Sequence, residues 1–225
     1  VAGITTAAVL AVAGMWVKRL VIVIPPLVQP LNGVPGKPYH ITTVELLVTV
    51  GAMAAIPFFL MHLGVFTIAW VGWSPVAVWT CVALYVLRMF AITGFYHRYF
   101  SHRTFKTSRA FQFFLALLAT TSVQKGICWW ASHHRIHHKL SDHAGDVHSA
   151  KLDGFLWSHV GWILSTRFKD TDLSAIKDFA AYPELRLLER HQWIGPWSLG
   201  AVCFLIGGWG GLVIGFFLST VLLWH

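Results

Sequence analysis

The chain has 225 residues, of which 56% are hydrophobic and only 12% charged, with a formal net charge of +8. So low a charged fraction, about half that of an ordinary soluble domain, argues against a soluble globular fold and for an integral membrane protein. Cys81, Cys128 and Cys203 lie too far apart for a disulfide framework or a zinc knuckle. No separate basic soluble domain exists to bind nucleic acid.

Residues Val1 to Trp16 are small and apolar, and Lys18-Arg19 closes the run. It is shorter than the roughly 20 residues a spanning helix needs. A truncated span, a signal-like segment and an interfacial helix all fit it. Five of the nine prolines fall between Pro25 and Pro38, which marks a linker. The first segment is therefore residues 1–45. A first span is expected over 46–70, which carries no Lys, Arg or acid beyond Glu45. Gly72-Trp73-Ser74-Pro75 is a short turn, and a second span is expected over 76–96. Arg88 interrupts it. A charge at the bilayer centre costs about 2.5–3.5 kcal/mol, so Arg88 should snorkel or face protein.

Two crossings return the chain to its starting side, where His97 emerges. Thirteen of the seventeen Lys and Arg lie between His97 and Arg190, and this places the region 97–192 on the cytoplasmic side. Ala110 to Ala119 is too short to span and reads as an interfacial or partly buried helix. Residues 151–190 are polar but carry Trp157, Trp162 and Phe168, as a segment lying against the membrane interface would. Two further short spans, 193–207 and 211–225, should form a hairpin about Gly207-Gly208-Trp209-Gly210-Gly211. The fold expected is an all-α integral membrane protein with about four transmembrane helices in two hairpins and a cytoplasmic, His-rich helical cap.

Eight of the thirteen histidines lie between His97 and His148. The first cluster is His97-Arg98-Tyr99-Phe100-Ser101-His102. The second is His133-His134-Arg135-Ile136-His137-His138, followed by His143 and His148. Neutral imidazole is a good ligand for Fe, Zn, Cu and Ni. Residues three and four apart share a helix face, so His134, His137 and His138 can present their nitrogens together. His97 and His102 are five apart, and a 3.6-residue period would spread them by about 140°. They fit better on either side of a helix end, or as ligands of two different metals. Acids are scarce near the clusters, so an all-imidazole site is favoured over a carboxylate-bridged one. Asp142, Asp146 and Asp153 are solvated or orient a ligand histidine. The lone His40, His62 and His159 read as structural. Trp129 and Trp130 read equally as interfacial anchors or substrate contacts.

HRYFSHRTFK, WWASHHRIHHKLSDHAGDVHS and GFLWSHVGWIL together resemble the membrane fatty-acid desaturases of the acyl-CoA Δ9, stearoyl-CoA desaturase-like type. That family's pattern is H-x4-H, then H-x2-H-H, then a third H-x2-H-H. The resemblance is specific from His97 to Leu164 and makes 46–225 the desaturase domain. It implies two Fe ions in a non-haem di-iron centre that uses O2 to insert a cis double bond into a saturated acyl chain. It implies metal ligands at His97, His102, His134, His137 and His138, with His133 outside the pattern, and an acyl contact at Trp130. An Arg-Asp pair that helps hold CoA in animal enzymes is replaced by Ser132-His133, which leaves acyl-CoA, acyl-lipid and acyl-carrier substrates open. The third box is expected beyond His225, after the fourth span. The electrons should come from an external cytochrome b5 or ferredoxin type donor docked on the basic loop, in a bacterial plasma membrane or endoplasmic reticulum. The competing readings are a lipid hydroxylase with the same boxes and a non-catalytic metal-binding membrane protein. The latter would want polar groups inside the spans, which lack them apart from Arg88.

Overall fold

A computed structural model describes residues 56–225. The expectations for residues 1–45 and for the start of the first span lie outside that range. Every regular element among the described residues is helical.

Helix α1 (Ile56–Phe66) ends at Thr67, and a short turn of helix, Ile68–Val71, follows. Helix α2 starts at Pro75, as the sequence demands: Ser74 Oγ accepts from the Ala77 amide at 3.1 Å, and Pro75 has no N–H to leave orphaned. The helix that carries the second expected span continues past residue 96. The α-helix Pro75–Phe90 runs without a break into a π-helix, Ala91–Ser101, so one 27-residue apolar helix ends inside the first histidine cluster. Ser101 Oγ donates to the Tyr96 carbonyl at 2.8 Å and supports this wider winding.

Helix α3 (Arg109–Thr120), capped by Ser108, buries Gln112, Leu115, Ala116 and Ala119 on one face. Helix α4 (Ile127–Leu140) carries the second histidine cluster. Its N-cap, Gly126, has no side chain to offer. Glu189, from helix α5 (Pro183–Arg190), accepts from the Cys128 and Trp129 amides instead, at 2.8 and 3.1 Å.

Helix α6 (Ile194–Gly210) and helix α7 (Gly211–Leu218, π-helical, then Ser219–Trp224) form a stretch long and apolar enough to cross a membrane. It is folded on itself. Gly207 and Gly208 leave helical geometry, and Gly208 has φ +56°, which favours glycine. Beyond the turn, a side chain at Gly211 would collide with the Cys203 carbonyl, so the limbs lie against each other. The hairpin expected there is present, with its turn at residues 207–208.

Two cores result. Val65, Ile68, Ala77, Cys81, Val213, Ile214 and Val221 fill the helical bundle. Tyr96, Phe100, Leu115, Ile127, Cys128, Phe179 and Leu185 are among those that fill the cap. The bundle's outer surface is apolar and open, with Trp79, Val86, Phe90, Trp197 and Leu205 all exposed. An apolar patch of this extent marks a surface made for lipid or protein rather than water. Arg88 faces protein, as one of the two sequence expectations required. It is fully buried and donates to Leu84 O at 3.2 Å, Thr220 Oγ1 at 2.7 Å, Thr121 O at 3.4 Å and Ser219 Oγ.

Candidate metal centre

The π-helix resolves the spacing problem of the first cluster. A π-helix closes i→i+5 hydrogen bonds, and the His102 amide donates to the His97 carbonyl at 3.1 Å. Residues five apart then lie over one another, and the His97 and His102 rings are 4.6 Å apart. On α4, the i, i+4 pair His134 and His138 are 4.5 Å apart. The two pairs meet. His97 lies 4.8 Å from His134, and His102 lies 4.6 Å from His138. One nitrogen from each of the four rings falls within 4.8 Å of all the others.

This group fits a first-row metal ion on the chemistry of its donors. It contains imidazole alone. Burial first, then the neighbouring histidines, pushes His134 down to about 3, so it is neutral and able to ligate at ordinary pH. The same causes lower His138. His134 Nε2 is buried without a hydrogen-bond partner among the described residues, a costly arrangement unless something binds there.

His137, the fifth expected ligand, lies outside the group. Its Nδ1 is 2.7 Å from Asp146 Oδ1, and its ring stacks on His148 at 4.0 Å. Spacing alone could not separate it from His138, because both lie within one turn of His134. Asp146 also accepts from the Asp142 and His148 amides. Burial raises its carboxyl, but these hydrogen bonds outweigh burial and hold it below the usual carboxylate range. Asp146 is thus an ionised carboxylate that orients the His137 ring. His133, the extra histidine, is turned into the cap. Its Nδ1 lies 2.8 Å from Trp129 O, and its ring packs on Trp129.

Trp130 stacks between Tyr96 and His134, at 5.1 and 4.7 Å, and its indole N–H donates to Gln124 Oε1 at 3.2 Å. It lines a cavity of about 720 Å³ that also touches His134, His148, Trp162, Trp197 and Trp224. Sequence reasoning missed Gln124, which carries no motif. It also read His62 and His159 as lone histidines. Both meet His225, at 2.9 and 3.1 Å, from segments far apart in the chain.

The family model for fatty acid desaturases matches residues 72–225. The chain belongs to the fatty acid desaturase family. It is 34% identical over 172 residues to an sn-1 stearoyl-lipid 9-desaturase of Anabaena variabilis, a match covering 75% of this chain and 63% of the relative. It is 31% identical over 151 residues to an acyl-CoA C20 Delta5-desaturase of Anemone leveillei, covering 65% and 48%. It is 34% identical over 137 residues to an acyl-CoA Delta(11) desaturase of Spodoptera littoralis, covering 56% and 39%. The chain therefore spans between about two fifths and two thirds of these relatives. The matched family region contains both histidine clusters, the folded hairpin and all of the cavity lining except Pro57 and Phe58.

Proposed function

We propose that this chain carries out oxygen-dependent desaturation of a saturated fatty acyl chain, introducing a cis double bond at the Δ9 position. The single observation that carries this is the meeting of four imidazoles beside an apolar cavity, in a chain of the desaturase family. His97, His102, His134 and His138 would hold iron, with His137 joining through its free ring edge and Asp146 fixing its tautomer. A bound iron pair supplies the oxidising power needed to remove hydrogen from an unactivated CH2. The protein's own part is to bind and orient. Trp130, stacked on His134, holds the acyl chain against the ligand group, and Trp162 and Trp197 keep the cavity apolar. The chain's apolar exposed helices seat it in the membrane as a multi-pass protein with four crossings and the histidines on the cytoplasmic side.

The Anabaena relative's name supports a stearoyl-lipid substrate and the 9-position. Ser132 and His133 support the same choice over CoA, because both are buried in the cap and offer a head group no charge. Electrons come from an external carrier of cytochrome b5 or ferredoxin type. The test is a purified, iron-supplemented protein given reductant, O2 and stearoyl-lipid or stearoyl-CoA, with products resolved by mass spectrometry. We expect iron in the protein and a 9-unsaturated product, and neither in His97→Ala or His134→Ala. A hydroxylated product would move the chain to the hydroxylase reading. Full turnover by an iron-free protein would reject the metal reading.

A further inference from the structure

The two histidine pairs sit on different helices, so something must set the distance between them. Arg135, one residue after His134, reaches across that gap. Its Nε donates to the Ser101 carbonyl at 2.9 Å, and its Nη2 donates to the Phe100 carbonyl at 2.8 Å. Both carbonyls belong to the last turn of the helix that bears His97 and leads into His102. The last carbonyls of a helix have no partner within it and carry the negative end of its dipole. The amides that follow do not serve these two: His102, Arg103 and Thr104 donate back to His97, Tyr99 and Arg98.

The rest of the guanidinium is also committed. Nη1 donates to Ala175 O at 3.0 Å and to Asp178 Oδ1 at 2.8 Å, and Nη2 donates to Asp178 Oδ2 at 2.9 Å. Every N–H of the fork is used. Burial raises the Asp178 carboxyl, but the Arg135 hydrogen bonds and charge outweigh it, and the group stays ionised. Arg103, whose Nε lies 3.4 Å from the same carboxylate, adds a second cation just past the helix end.

We propose that Arg135, locked by Asp178, is the positioning residue that fixes the spacing of the His97–His102 pair against the His134–His138 pair. The proposal rests on the metal reading given above. A ligand set works only when its members are held to within about half an ångström of their places. Here one planar fork joins the end of α2, helix α4 and the loop before residue 178. A lysine keeps the charge but, as a point donor, cannot bridge two carbonyls and two carboxylate oxygens together.

The test uses the purified protein in lipid nanodiscs, stripped of metal, with Co2+ as the probe. Its visible absorption reports both affinity and coordination geometry. Arg135→Lys and Asp178→Asn should each weaken Co2+ binding roughly 10–100-fold, shift the absorption bands, and speed amide exchange at residues 102–104 in the metal-free protein. Arg109→Gln, which breaks the exposed Arg109–Glu184 pair, is the control and should match the parent in all three. If Arg135→Lys does not fold, Asp178→Asn, which leaves the arginine in place, is judged by the same readings. Parental affinity, bands and exchange in the foldable variants would overturn the positioning role while leaving the metal reading intact. Equal weakening in Arg109→Gln would also overturn it, as general destabilisation. Failure of the parent protein itself to bind Co2+ would reject the metal reading and this inference together.

Discussion

Arg88 in the helical bundle and His134 in the cap are both nitrogen-bearing side chains taken out of water, and their surroundings differ. Arg88 is matched by two hydroxyls and two carbonyls from α2, α7 and the end of α3. His134 Nε2 has no partner among the described residues and faces three other imidazoles. A buried polar atom left open costs about 1–3 kcal/mol. The bundle satisfies its charge and gains a pin between helices. The cap leaves its donors open, which is tolerable where stability is given up for a ligand site.

The largest effect should come from stripping the bundle's pin. Ser219→Ala with Thr220→Val leaves the Arg88 guanidinium buried and poorly matched, and should cost about 3–5 kcal/mol, measured by denaturant unfolding in detergent. Arg88→Met should cost far less than this pair. If it costs more, the arginine's role is other than a satisfied pin. In the cap, Leu115 is fully buried among Tyr96-side residues and is 1% exposed. Leu115→Ala should cost about 2–5 kcal/mol and lower the cap's resistance to proteolysis, because ordinary apolar packing holds the histidine helices.

Asp146→Asn should weaken metal binding roughly 10–100-fold with only a modest fall in the melting temperature of the metal-free protein, since it frees His137 while the remaining amide oxygen can still accept from the Asp142 or His148 amide. A large fall in that melting temperature would make Asp146 a structural residue. The smallest effect is the sharpest for the comparison. His134→Leu should abolish metal uptake yet raise the stability of the metal-free protein by about 1 kcal/mol, because an unpartnered nitrogen is removed. Calorimetry of the metal-free variant decides it, and a clear loss of stability would mean that the ring's packing outweighs its open nitrogen.

Much of this was written in residue type and order. The low charge and long apolar runs announced a membrane-seated helical chain, the glycine-rich stretch 207–211 announced the turn that folds the last hairpin, and the density of imidazoles announced a group able to hold a metal. These are legible because hydropathy and backbone freedom are local properties, set by each residue and its near neighbours. The way four of the five expected ligands meet was not legible from spacing. It depends on a π-helix at residues 91–101, and a plain 3.6-residue period had set His97 and His102 apart. Nor could spacing show that His137 turns to Asp146, that Glu189 caps a helix starting some sixty residues earlier in the chain, or that Arg135 reaches the carbonyls of Phe100 and Ser101. Those depend on which side chains arrive beside which backbone ends once the helices have packed, and packing is decided by contacts between segments that the linear order leaves far apart.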